Sequence, residues 1–135
     1  VMGSENFEVV KRHIVDAKES SAAFLENIKD DPSDFKAVHA NLRSFVLYRF
    51  FLMDDDPQTD SIDELSRMSL RKLAEINKRG MLQDLSNNCV GVSSETMKKA
   101  LLIMTLQKQL GIVFDSEEND TLAQLAQSIV RQLAS

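Results

Sequence analysis

Residues 96–114, TMKKALLIMTLQKQLGIVF, constrain this chain more than any other stretch. Met97, Ala100, Leu101, Met104 and Leu110 recur at helical spacing, and Leu102, Ile103 and Leu106 widen the apolar surface beyond half of a helix circumference. Gly111 follows Leu110, where a helix ends most easily in a left-handed residue without a Cβ. Ile112, Val113 and Phe114 then form a short apolar return in place of a polar exit. So broad an apolar face predicts a core helix surrounded by other helices, with Met97, Ala100, Leu101 and Met104 among its packing residues.

The rest of the chain reads as those packing partners. Phe7, Val10, Ile14, Ala17, Ser21, Phe24 and Ile28 make one narrow apolar seam, predicting a helix from Ser4, as its N-cap, to about Asp30. Asp30-Asp31-Pro32-Ser33 stops it, because proline disfavours helix in the residue before it, and Ser33 is placed to cap the next helix. That second helix is expected from about Asp34 to Met53. Phe35, Val38, Leu42 and Phe45 keep the spacing, and FVLYRFFLM is apolar nearly all round, as for a segment held between neighbours. The acidic, proline-containing run 54–60 is the best linker in the chain. It predicts an N-terminal helical hairpin over residues 1–56 and a second unit over 57–135.

A third helix is expected from Ser61 or Ile62 to about Asn77, with Ile62, Leu65, Met68 or Ser69, Leu73 and Ile76 inward and Lys78-Arg79-Gly80 closing it. A long connection follows, MLQDLSNNCVGVSS, with Leu82, Leu85 and Val90 turned in. After the core helix, residues 115–120 form a polar loop. Thr121 then caps a last helix whose inner side is Leu122, Leu125, Ala126, Ile129 and Leu133. The fold class is therefore all-α.

Composition narrows the function. The 135 residues carry a net charge of −5, which argues against a nucleic-acid binder held by phosphate contacts. The charge is divided unevenly: residues 1–60 hold twelve acids and seven bases, whereas residues 61–135 hold nine of each. No apolar run approaches a membrane span and no signal peptide opens the chain, so the expected location is cytoplasmic. The single cysteine, Cys89, excludes an internal disulfide and leaves too few thiols for a zinc site.

Read in order, residues 61–135 give helix, long loop, helix ending in L-G-I-V-F, polar loop, and a short helix beginning T-L-x-x-L-A. This resembles an acyl carrier protein over the length of a whole carrier domain. The resemblance implies a carrier-like bundle in which a serine of an Asp-Ser-Leu motif, opening the second helix, receives 4′-phosphopantetheine from coenzyme A. The matching position here is Thr96, within Glu95-Thr96-Met97, and none of the three residues is identical to the motif. The extra methyl of threonine crowds the oxygen in an in-line phosphoryl transfer. Ser93 and Ser94 are alternative acceptors.

Carriers present an acidic second helix to their enzymes; here Lys98, Lys99 and Lys108 occupy it and Glu95 is its only acid. The resemblance accordingly implies a divergent, non-enzymatic module in which Thr96 caps a helix without an arm, so no cofactor is expected. A true carrier modified at Thr96, Ser93 or Ser94 is an alternative. Protein partners, among them biosynthetic or peptide-maturation enzymes, would meet the helix at Met97, Lys98 and Leu101, and the chain would be a monomer or homodimer.

A third reading places the activity in residues 5–53, as a helical adaptor or a histidine-phosphotransfer-like bundle using His39. No Lys-Gly follows that histidine, and a surface or helix-packing role is the plainer reading. With two histidines far apart and one cysteine, neither a metal site nor a Cys–His nucleophile is supported. Asp54, Asp55 and Asp56 read as solvated linker charge, since calcium loops need regular ligand spacing around a glycine.

Overall fold

A computed structural model describes the backbone of residues 2–77 and 94–134, and the side chains of residues 9–76 and 94–134. Five helices run α1 Met2–Asp30, α2 Phe35–Arg49, α3 Ile62–Asn77, α4 Glu95–Leu110 and α5 Leu122–Leu133. The closure at 78–80 and the expected inward turn of Leu82, Leu85 and Val90 lie outside the described residues, as do Cys89 and Ser93. The described residues contain no strand, only an isolated antiparallel bridge between Ser61 and Thr121.

α1 packs on α2, α2 on α5, and α3 on α4, with lighter contact between α1 and α4. One apolar cluster takes residues from all five helices: Leu25 and Ile28, Val38 to Leu47, Ile62 and Leu65, Leu102 to Leu110, and Leu122 to Ile129. This core therefore draws on both sides of residue 56. A smaller cluster joins Ile14 of α1 to Leu73 of α3, with Val10, Phe51 and Ile76 against it.

Several details differ from the sequence reading. Ser4 lies inside α1, which already begins at Met2, so it is not a cap. On α1, Leu25 is buried whereas Phe24 is only partly so and meets the Tyr48 ring at a tilt of 50°, centroids 5.1 Å apart. Asp34 caps α2, accepting from the Lys36 amide at 3.1 Å, while Ser33 donates its hydroxyl to Asp31.

α2 stops at Arg49, short of Met53, because Phe51 adopts a left-handed φ of 60°. The Leu52 amide then reaches back to the Leu47 carbonyl at 2.7 Å and the Phe51 amide to that of Tyr48 at 3.2 Å, an interlocked helix ending. α3 holds this ending in place. Buried Ser69 donates to the Phe50 carbonyl at 2.7 Å, and Lys72 donates to Phe51 O at 2.6 Å and to Asp55 at 2.7 Å.

The starts of α3 and α5 are pinned side by side, with Ile62 N donating to Asp120 O and Leu122 N to Asp60 O, each at 2.9 Å. Thr121 caps α5 as expected, and Gln124 completes a capping box by accepting from the Thr121 amide.

Candidate functional site

α4 is oriented by its leucine line. Leu102, Leu106 and Leu110 are buried, and Gly111 closes the helix at φ 67° and ψ 38°, with its own amide and that of Ile112 both reaching Gln107 O. The return that follows alternates inward and outward. Ile112 and Phe114 are buried and Val113 is 73% exposed, held by Gln132, which donates to Val113 O at 2.7 Å and accepts from Val113 N at 3.1 Å. The Gln107 side chain accepts from the Phe114 amide.

This orientation corrects the expected packing face. Met97 is 54% exposed, Leu101 45% and Met104 61%, and Ala100 is exposed as well. They form an outward stripe one helical turn apart, not a buried seam. The missed signal is charge. The methionine line runs on into Lys108, whereas the Leu102–Leu106–Leu110 line contains no charged residue and leads straight into Gly111-Ile112.

At the leading end of α4, Ser94 supplies the N-cap, accepting from the Met97 amide at 3.1 Å. Thr96 is therefore not the cap; it lies in the first turn with its side chain exposed. Glu95 binds Arg67 of α3 through two contacts, at 3.0 and 3.4 Å, and that hydrogen bond, with the carboxylate charge, holds the Arg67 guanidinium above its ordinary value. Lys98 lies over the Phe50 ring at 4.8 Å. Lys99 is drawn into an ion pair with Asp120 at 2.9 Å, with Asp63 at 3.6 Å. Of the residues singled out from the sequence, Thr96, Met97 and Leu101 are thus each exposed in the first half of α4, Lys98 is half-buried among them, and Ser94 sits at the cap.

His39 is placed quite differently. Its Nε2 lies 2.9 Å from Asp60 Oδ1 and its ring stacks on Phe35 at 5.8 Å. A phosphoryl group on that nitrogen would have to displace the carboxylate. Asp60 is the residue the linker reading missed: it also accepts from Arg43 at 2.9 Å and from the Ala123 amide, in the first turn of α5, at 2.8 Å. The only hint in the sequence is the pairing of His39 and Arg43 four apart on one face of α2. Asp54, Asp55 and Asp56 are exposed as expected, but Asp55 is not merely solvated charge, since it pairs with Lys72 of α3. Among the described residues, no group of three or more His, Cys, Asp or Glu could hold a metal ion, and no helix is long and apolar enough to cross a membrane.

No family model matches the chain, and neither a curated protein nor a solved structure does.

Proposed function

We propose that the chain is an acyl-carrier-like, non-enzymatic module that works through protein partners and carries no phosphopantetheine arm. The observation that carries this reading is the open leading half of α4, where Thr96, Met97 and Leu101 face solvent. A helix used for docking must offer such a face, and large apolar side chains gathered on one exposed helix face mark interaction surfaces. The carrier-like order of elements in residues 61–135 and the Gly111-Ile112 turn support the comparison with carriers. The Glu95-Thr96-Met97 sequence, in place of Asp-Ser-Leu, speaks for the loss of the arm.

Two measurements test the proposal. Incubation with coenzyme A and several phosphopantetheinyl transferases leaves the intact mass unchanged if the arm is absent. A gain of about 340 Da, the mass of the arm on a hydroxyl, that disappears in Thr96→Ala, Ser93→Ala or Ser94→Ala would instead establish a true carrier. A photo-crosslinking residue at position 96 should capture a discrete protein from source-cell lysate, and Leu101→Asp should abolish the capture. Absence of any Leu101-dependent product would remove the partner-docking role.

A further inference from the structure

No local signal ends α2 where it stops. Residues 45–53, FVLYRFFLM, hold no glycine, proline or small polar residue, and local preference carries the helix on to Asp54. The chain leaves the helix at Phe51 instead, in a left-handed conformation that a bulky residue seldom adopts. A second non-glycine residue, Asp56, follows at φ 43°. Local preference and tertiary contacts thus favour different endings, a conflict that collects at functional and switching segments.

The short ending is held from α3. Lys72 donates to the Phe51 carbonyl and to Asp55, and its ammonium lies 4.5 Å from the centre of the Phe51 ring. It therefore grips both the main chain and the ring of the strained residue. Ser69, one turn earlier, takes the Phe50 carbonyl. Phe51 in turn packs against the Ile14–Leu73 cluster, beside Val10 and Ile76, and so helps to seat the first half of α1. Buried Leu52 keeps this ending as the resting state.

The other ending is within reach of the chain. With α2 continued through Met53, the fourteen steps from His39 span about 21 Å. The seven steps from Met53 to Asp60 reach about 23–25 Å when extended, so Asp60 can keep its bonds to His39 and Arg43. A further turn of helix would leave too little chain, which limits the extension to Met53. The backbone bonds exchange rather than vanish. The Phe51 amide passes from the Tyr48 carbonyl to that of Leu47, and the Leu52 amide from Leu47 to Tyr48. The Phe51 φ moves from 60° to about −60°, swinging its Cβ about 120° around the N–Cα bond and out of its place against α1.

We infer that the end of α2 is a two-position joint controlled by Lys72. Clipped, Phe51 seats the first half of α1; unclipped, α2 runs to Met53 and residues 9–17 come free as an arm.

Chemical exchange saturation transfer on the full ¹³C,¹⁵N-labelled chain reads the joint directly. Residues 51–53 should show a minor state with helical ¹³Cα shifts. Lys72→Met, which keeps the stem and removes both hydrogen bonds, should raise its population about three- to tenfold. Deuterium exchange of amides 9–17 should quicken by the same factor, while that of 21–28 stays within about twofold. Asp55→Ala, which removes only the ion-pair partner, should act in the same direction and less strongly, and it serves if Lys72→Met does not fold. Adding Phe51→Gly to either variant should erase the minor state, because glycine is at ease at φ 60° and is a poor helix former. A minor state absent from the wild-type chain and both single variants, non-helical shifts within it, its survival in the Phe51→Gly double variant, or equal acceleration of 9–17 and 21–28 would each overturn the inference.

Discussion

At the scale of single residues, α4 is a helix with two apolar lines of opposite fate. Leu106 is fully buried and Met104 lies mostly in solvent, although the two are neighbours in a run that reads as uniformly apolar. Leu106→Ala should cost about 2–5 kcal/mol in chemical denaturation, through lost burial and a residual cavity. Met104→Ala should stay within about 0.5 kcal/mol. Equal costs would mean that the helix is rotated from its described orientation. Gly111 makes a separate point. A Cβ added there meets nothing within 4 Å, so crowding does not account for the glycine. Its φ of 67° does, and Gly111→Ala should lose about 1–2 kcal/mol through backbone strain alone.

At the scale of elements, connections matter as much as helices. Asp60, in a segment that reads as linker, ties His39 and Arg43 of α2 to the first turn of α5. Asp60→Ala should therefore destabilise the chain by about 1.5–3 kcal/mol, as expected for hydrogen bonds to a charged group. Exposed Asp54→Ala should change stability by less than about 0.5 kcal/mol. Urea melts of the two variants side by side make the comparison.

Helix periodicity was legible throughout, since Ile62, Leu65 and Leu73, or Leu122, Leu125 and Ile129, recur at spacings no strand would use. The cap at Thr121 and the stop at Gly111 were legible for the same local reason. The stop at Arg49 was not. Phe51 carries no signal for a left-handed conformation, and the turn is held by Ser69 and Lys72 from another helix. Thr96 could be placed near a helix start by counting back from Gly111. The cap itself is Ser94, two residues earlier, whose hydroxyl accepts from the Met97 amide.

At the scale of the whole molecule, the shared core predicts that all five helices are lost together. Thermal unfolding followed by circular dichroism and by calorimetry should give one transition with coincident midpoints. Two resolved transitions would mark the expected division near residue 56 as a true domain border. Within that single unit stability is graded. The first half of α1 is held by the small Ile14–Leu73 cluster, away from the main core. Amides of residues 9–17 should accordingly exchange with deuterium before those of residues 21–28.

The Gln132 clamp on Val113 has a consequence for solubility. Satisfying both the backbone donor and the backbone acceptor of one residue is what a neighbouring strand does in a sheet, and here a lone carboxamide takes that part. Without it, the peptide groups beside an outward-facing valine become a free template onto which another molecule can zip. Gln132→Ala should therefore scatter light on warming sooner than its loss of stability alone would dictate, which ties the colloidal behaviour of the chain to a single side chain near its C-terminal end.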